Sequence, residues 1–254
     1  MNMHWRVRGW PPPSLIHAYS LVPQQGSVLD VGCLGYHQYR IAKHLGLTGL
    51  KHHGVDWGDA VDAPEGFIFK KADLNKETLP FADDTFDFVV ASHVIEHLDR
   101  PVEFFGDCLR VCKPGGLLYI ETPSERSLWL PGNPSNHDDF FTLSFFDDPT
   151  HVLRVWTPQS LHRLARIYSC EPVLSGRLFS WIHRLLAPAT IPFAWLTGNK
   201  LLETCIWQTV GWATFVIVRK PLTMKGKPPF RYYIPGRAYK IKVRSKLNAG
   251  ATGG

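Results

Sequence analysis

Short apolar runs alternate with longer mixed segments over the first half of the chain. The run 28–31 lies between Gly26 and Gly32 and is typical of a central strand that is buried on both faces. Strands and helices that alternate in this way predict a parallel sheet with helices on both faces. The predicted strands are 28–31, a run ending at 56, a run ending at 71–74, 86–92 and 117–121, and the first helix covers about 39–47.

The second half of the chain completes the predicted sheet. Thr157 is a candidate helix cap with Pro158 in the first turn, and strands are predicted at 170–174 and 213–218. Between those strands lies an apolar insertion, 179–211, which carries several tryptophans and few charges. We therefore predict an α/β fold with a doubly wound, mostly parallel seven-stranded sheet and a helical insertion before the last strand.

The composition divides the chain into three parts. Residues 1–24 contain three consecutive prolines, which predict an extended arm over the sheet edge or the ligand site. Residues 25–221 form the predicted domain, within which 130–156 has no regular period and is predicted to be an active-site loop. Residues 222–254 are basic and rich in glycine, and we predict a flexible tail.

Charge, cysteine content and the length of the apolar runs indicate the cellular location of the protein. The chain of 254 residues is 44% hydrophobic and 20% charged, with a formal net charge of +6. Much of this charge lies in the tail, so it says little about the domain. The five cysteines show no zinc or disulfide spacing, and no apolar run reaches the ~20 residues that span a bilayer. These features predict a cytoplasmic protein, with a membrane surface as the alternative location.

A glycine turn follows the first strand and carries the strongest chemical signal. Gly32 and Gly35 allow a sharp turn and the close approach of a ligand, and the next helix directs its N-terminal amides there. Asp56 ends the second strand about 25 residues later, where a carboxylate accepts hydrogen bonds from ribose hydroxyls. The alternatives are an ordinary strand–helix turn and an acid at a helix start.

This succession of motifs resembles the class I S-adenosylmethionine-dependent methyltransferases. The resemblance covers 25–124 densely, through the glycine turn, Gly54-Val-Asp56, Lys71-Ala-Asp-Leu74, His93-Val-Ile-Glu-His-Leu98 and the Lys113-Pro-Gly-Gly116 turn. Leu34 stands where the family usually has a third glycine. The resemblance implies S-adenosylmethionine as the cofactor. It implies that Asp30, Gly32, Cys33 and Gly35 lie at its amino-acid end, Asp56 at the ribose, Asp73 and Leu74 at the adenine, and the His93 backbone beside the methionine half.

His93, Glu96 and His97 follow the fourth strand at a spacing that metal sites use. Their order differs from the zinc-protease motif, and the sequence indicates no third ligand. No metal is therefore predicted, and Glu96 and His97 are expected to fix the start of a helix.

His151 and Asp148 lie in the active-site loop, within a string that resembles a segment of methyltransferases from polysaccharide gene clusters. A neutral histidine takes a proton from a hydroxyl as a methyl group arrives. We predict that His151 is this base or a substrate clamp and that Asp148, or alternatively Asp147, orients it. The alternative is a His–Asp pair that pins the loop.

The predicted reaction is methyl transfer to an oxygen of a small-molecule, sugar or lipid-linked acceptor. The apolar insertion is either a helical subdomain packed on the core or a surface that contacts a membrane. One rival is a nucleic-acid methyltransferase, which is disfavoured because the basic residues cluster in the tail. The other is a non-catalytic binding module. The oligomeric state is not predicted.

Overall fold

The structure is a computed structural model that describes residues 11–130, 144–152, 154–196 and 201–223, except for the side chains of Ala194, Leu201 and Glu203. Residues 1–10 of the predicted arm, most of the predicted loop (131–143 and 153) and the tail from 224 lie outside this range. The chain divides into two units, 1–223 and 224–254. Only the first unit contains described residues.

Seven strands and six α-helices form the described part of the chain. The strands are β1 Ser27–Val31, β2 Lys51–Asp56, β3 Ile68–Lys71, β4 Phe86–Ser92, β5 Cys112–Pro123, β6 Glu171–Leu178 and β7 Ala213–Arg219. The helices are α1 Pro13–Ser20, α2 His37–His44, α3 Pro101–Val111, α4 Pro158–Ile167, α5 Trp181–Leu196 and α6 Leu201–Val210. Short 3₁₀ turns cover Ile95–His97, Glu125–Trp129 and Phe145–Asp147.

The strands form one sheet in the order β3-β2-β1-β4-β5-β7-β6. The first five strands pair in parallel, and β7 runs antiparallel between β5 and β6. The predicted seven-stranded, mostly parallel sheet is confirmed. Because β1 and β4 are neighbours at the centre, their carboxyl ends share the edge at which open α/β sheets bind ligands.

Apolar side chains cover both faces of this sheet. Helices α3 and α4 pack on one face through residues such as Phe105, Leu109 and Leu161. Helices α1 and α2 pack on the other face through residues such as Tyr19 and Ile41. Helix α2 begins and ends before the predicted 39–47, because Gly46 adopts a positive φ of 76° that ends it.

The N-terminal segment differs from the predicted extended arm. Residues 13–20 form α1, and Leu15, Ala18 and Tyr19 are buried. Proline is compatible with the first turn of a helix because its missing N–H has no intrahelical partner there. Burial of the apolar face of α1 on the sheet then stabilises the helix.

Two charged side chains join the strands at the amino edge of the sheet. Asp87 Oδ2 accepts hydrogen bonds from the Ser27 amide at 2.8 Å, the Ser27 hydroxyl at 2.9 Å and Lys113 Nζ at 2.8 Å. Lys220 is buried, and its Nζ donates to Asp84 Oδ1 at 2.6 Å and to the Cys112 carbonyl at 2.7 Å. These bonds fix the register of β1, β4, β5 and β7.

The helices of the apolar insertion lie between β6 and β7. Strand β6 extends beyond the predicted 170–174 because it pairs with β7 as far as Leu178↔Ala213. The chain leaves the sheet after Leu178, forms α5 and α6, and re-enters the sheet at Ala213. Both residues lie at the carboxyl edge of the sheet. None of the helices in the described ranges is both long and apolar enough to cross a membrane.

Candidate active site at the carboxyl edge of the sheet

The turn after β1 is shaped by two glycines in left-handed conformations. Gly32 has a φ of 76° and Gly35 a φ of 82°. The Gly32 amide donates to the Val55 carbonyl at 2.9 Å, which holds the turn against β2. A Cβ on Gly32 would lie 2.6 Å from Val94 Cγ2, so only glycine fits between the turn and the segment that follows β4.

Asp56 lies beside this turn because β2 pairs in parallel with β1. Its Oδ2 accepts from the Leu34 amide at 3.2 Å, and its Oδ1 accepts from the Gly58 amide at 3.3 Å. The side chain of Leu34 reaches over Gly58, where an added Cβ would lie 2.9 Å from Leu34 Cδ1. Leucine at the family's third glycine position therefore packs across the neighbouring loop, and its amide orients Asp56.

Asp30 and Cys33 lie beneath the turn and are buried. Burial raises the pKa of the Asp30 carboxyl well above its usual range; a hydrogen bond with the Gln38 backbone lowers it, and the Asp56 charge raises it further. Burial likewise raises the pKa of the Cys33 thiol to about 12. Cys33 is therefore a packing residue, and Asp30 supports the start of α2.

Asp73 and Leu74 follow β3 at the same edge of the sheet. The Asp73 carboxylate pairs with Lys76 Nζ at 2.7 Å and accepts from the Asn75 amide at 3.1 Å. The hydrogen bond from Lys76, together with the Asn75 amide, lowers the pKa of Asp73. Asp73 is thus an ionised acceptor on an open part of the edge, and its role at adenine stays a prediction.

A charged network follows β4 and β5. His93 adopts a positive φ of 56°, which is unusual for a residue other than glycine. Its Nδ1 lies 3.1 Å from Glu96 Oε1 and its Nε2 3.3 Å from Glu121 Oε1. Tyr119 donates to Glu121 Oε2 at 2.5 Å. Burial lowers the pKa of His93, but the bonds to Glu121 and Glu96 outweigh it and raise the pKa above its ordinary value.

His151 and His97 lie next to this network. Their rings are 4.8 Å apart, and the Val152 amide donates to the Glu96 carbonyl at 2.9 Å. His151 Nδ1 is 2.6 Å from the Phe145 carbonyl, whereas its Nε2 is 3.9 Å from Asp148 Oδ2. The Phe145 carbonyl therefore orients the His151 ring by a hydrogen bond, and Asp148 lies beyond hydrogen-bond distance.

Asp148 makes its own hydrogen bonds within the loop. Its Oδ1 accepts from the Thr150 amide at 2.8 Å and from the Thr150 hydroxyl at 2.6 Å. Burial raises the pKa of Asp148, but the Thr150 bonds and the nearby histidines outweigh it, so the pKa lies below its usual range. Asp148 thus remains ionised near His151 and shapes the 148–150 turn.

Residues 9–174, more than half of the chain, match the family described as "Methyltransferase domain". The chain belongs to this family. The predicted S-adenosylmethionine-dependent methyltransferase type and its cofactor are thereby confirmed.

Two curated proteins illustrate the similarity of sequence. One is a "Probable S-adenosylmethionine-dependent methyltransferase" of Mycolicibacterium smegmatis, 33% identical over 45% of this chain and 44% of that protein. The other is a ubiquinone biosynthesis O-methyltransferase of Parvibaculum lavamentivorans, 29% identical over 37% of this chain and 39% of that protein. The chain thus matches less than half the length of either relative.

The fold is also shared with a solved S-adenosylmethionine-dependent methyltransferase of Archaeoglobus fulgidus. The TM-score is 0.57 at 23% identity, over 84% of this chain and 94% of that structure. This likeness supports the order and direction of the strands.

The turn after β1 fits the cofactor of the family. Gly32 has no Cβ, so the backbone of the turn stays uncovered where it lies against Val94, and two backbone amides hold the Asp56 carboxylate beside the turn. The sequence does not indicate the hydrogen bond from Tyr119 to Glu121, nor the position of the Trp212 ring, which lies 5.4 Å from the His93 ring. The one sequence feature that could have identified Glu121 as a site residue is its position near the carboxyl end of β5.

Proposed function

We propose that this protein transfers the methyl group of S-adenosylmethionine to an oxygen atom of a small-molecule, sugar or lipid-linked acceptor. The observation that carries the proposal is an oriented histidine, His151, at the sheet edge that holds the glycine turn. The cofactor supplies an electrophilic methyl group when bound. The protein has then to bind it, align the acceptor, exclude water and remove one proton.

The cofactor-binding residues are proposed from their positions around the turn. Gly32, Cys33 and Gly35 contribute backbone at the amino-acid end, and Asp30 supports them from below. Asp56 is proposed to accept from the ribose hydroxyls with the lone pairs that its two amide bonds leave free. Asp73 and the Leu74 amide are proposed to face adenine, and the His93 backbone the methionine half.

His151 is proposed to accept the proton of the acceptor hydroxyl. Its Nδ1 faces a carbonyl oxygen, which only accepts hydrogen bonds, so the proton of the neutral ring lies on Nδ1 and Nε2 carries a lone pair. The ionised Asp148 stabilises the ring once it becomes positively charged. Similarity to an O-methyltransferase of ubiquinone biosynthesis supports an oxygen acceptor.

Calorimetric titration with S-adenosylhomocysteine tests the cofactor site. We expect micromolar binding by the wild type and at least a tenfold loss in Asp56→Ala. Asp59→Ala is the matched control, because Asp59 is an exposed acid three residues away that pairs with Lys71. Equal affinity in both variants would contradict the proposed role of Asp56, and no binding by the wild type would favour a non-catalytic module.

Turnover with a panel of sugar and lipid-linked hydroxyl acceptors tests the proton acceptor. We expect His151→Ala to lower kcat by on the order of a hundredfold while the affinity for S-adenosylhomocysteine is kept. Unchanged turnover would show that the His–Asp pair only pins the loop.

The apolar insertion favours a lipid-linked acceptor. Trp181, Leu185 and Trp195 on α5 are 72%, 81% and 68% exposed, and Leu196 is 80% exposed. Exposed tryptophans and leucines on one helix are typical of a surface that lies in a membrane interface. We therefore propose that α5 contacts the bilayer that holds the acceptor, instead of packing entirely on the core.

Co-sedimentation with phospholipid vesicles tests this contact. We expect the double variant Trp181→Ala/Leu185→Ala to lose most of the bound fraction. Leu222→Ala is the control, since Leu222 is equally exposed but follows β7 at the opposite edge of the sheet. Absence of wild-type binding would leave only water-soluble acceptors in the proposal.

A further inference from the structure

Three metal-ligating side chains meet beside the candidate active site. Glu96, His97 and His151 each offer one donor atom, and these atoms all lie within 4.8 Å of one another. Glu96 is 1% exposed, and the side chain of His151 is 6% exposed. The sequence does not indicate this cluster, because His151 is far from the other two along the chain and is brought in by the 144–152 segment.

Hydrogen bonds assign the free ring nitrogens of the two histidines. The Thr150 hydroxyl donates its proton to Asp148, so it accepts from His97 Nδ1, which is 2.8 Å away. His151 Nδ1 likewise donates to the Phe145 carbonyl. In each ring Nε2 therefore carries the lone pair. Metal-bound histidines are held in this way, with the second nitrogen donating to an oxygen.

Glu96 supplies an independent observation. Its Oε1 is bonded to His93 Nδ1, whereas its Oε2 is buried and has no hydrogen-bond partner. A buried carboxylate oxygen without a partner loses its hydration without compensation. A cation beside His97 and His151 would satisfy it.

We propose that Glu96, His97 and His151 bind one divalent transition-metal ion. Two imidazoles and a carboxylate suit Zn²⁺, Fe²⁺, Co²⁺ or Mn²⁺, and three protein ligands leave at least one position open for another oxygen. The site contracts slightly on binding, because two atoms that each bind one ion at ~2.1 Å stand at most ~4.2 Å apart.

The role of the ion in catalysis rests on the proposed function. The open position would bind the acceptor oxygen, and the positive charge would favour loss of its proton to solvent water. An oxygen–carbon bond then forms as the carbon–sulfur bond of the sulfonium breaks, and the electron pair of that bond stays on sulfur. With the ion bound, His151 acts as its ligand, and the ion takes over the activation of the acceptor.

Titration of the metal-depleted full-length protein with Co²⁺ tests the site, read from the visible absorption of the bound ion and by calorimetry. We expect one equivalent to bind, with affinity reduced at least tenfold in His97→Ala and Glu96→Gln. His162→Ala is the control for adventitious binding, because His162 is an exposed histidine on α4. Thermal unfolding without metal shows whether each variant is folded.

Thermal unfolding in the presence of Co²⁺ gives a second readout of metal binding that does not require enzyme activity. Micromolar Co²⁺ should raise the thermal midpoint of the wild type and of His162→Ala, but not that of His97→Ala. Failure of the wild type to bind one equivalent, or equal binding by all variants, would overturn the metal site. In that event, retained S-adenosylhomocysteine binding and turnover after chelation would leave the proposed methyl transfer standing, with His151 as the direct base.

Discussion

Replacing Gly32 with alanine tests the shape of the turn after β1. Alanine at a φ of 76° adopts a left-handed conformation, which costs about 1–2 kcal/mol. The new Cβ would also lie 2.6 Å from Val94 Cγ2. Valine is stiff at χ1, so relief of this overlap requires a backbone shift that costs about 1–3 kcal/mol. The expected total loss of stability is about 2–5 kcal/mol.

Alanine at Gly66 serves as a control that separates the cost of the left-handed conformation from the cost of the overlap with Val94. Its φ is also 76°, but a Cβ at Gly66 would have nothing within 4 Å. Gly66→Ala should therefore lose only the conformational part, about 1–2 kcal/mol. Urea denaturation of the two variants measures the difference, and the double variant Gly32→Ala/Val94→Ala should recover the overlap part in a double-mutant cycle.

Cofactor affinity should follow the same division. Gly32→Ala should weaken S-adenosylhomocysteine binding at least tenfold, because the turn has to move, whereas Gly66→Ala should bind as the wild type does. If Gly32→Ala is no less stable than Gly66→Ala and binds equally well, the close approach of Val94 to the turn is not a constraint and the reasoning fails.

Two further predictions concern the amino edge of the sheet. Burial raises the pKa of Asp87, but the bonds from Lys113 and Ser27 outweigh it and depress the pKa in the folded state. The stability that Asp87 contributes is therefore present above its unfolded pKa of about 4 and is lost as the pH falls through the lower folded value. Asp87→Asn should lower the free energy of unfolding by about 1–3 kcal/mol at pH 7. Urea titrations should show this difference between wild type and variant shrinking towards pH 2; a difference that does not depend on pH would contradict the predicted sign. Lys220→Met should lower the free energy of unfolding by about 1–3 kcal/mol, because it leaves the Cys112 carbonyl without its buried donor. Lys76→Met, which removes one partner of an exposed ion pair, should unfold as the wild type does. Equal unfolding midpoints for the two variants would show that the Lys220 hydrogen bonds do not stabilise the fold.

Much of the sheet is predictable because its strands carry local signals. The run before Gly32 is bounded by glycines and is mostly apolar, and the second run ends in Gly54-Val55-Asp56; both are strands in the structure. Thr157 caps α4 as predicted, since its hydroxyl accepts from the Ser160 amide at 3.0 Å. The helical form of 13–20 was missed because its stability comes from burial against the sheet, which the proline-rich composition does not reveal.

The site is predictable only where the ends of neighbouring strands supply its residues. The glycine turn and Asp56 are read from consecutive strands, because neighbouring strands of a parallel sheet end at the same edge. The approach of His151 to His97 depends instead on the path of the 144–152 segment, which no periodicity describes. The hydrogen bond from the Val152 amide to the Glu96 carbonyl holds this segment beside His97, and the sequence does not predict that hydrogen bond.

The pairing of Leu178 with Ala213 has a consequence for how the chain tolerates change. The two strands meet at these positions whatever joins them, so α5 and α6 behave as one long hairpin loop. Compared with a four-residue turn, a connection of about 34 residues adds only about 2 kcal/mol of loop-closure entropy. The sheet and its cofactor turn can therefore keep their geometry while the connection changes in length and composition, which makes it an exchangeable module at the edge where ligands bind.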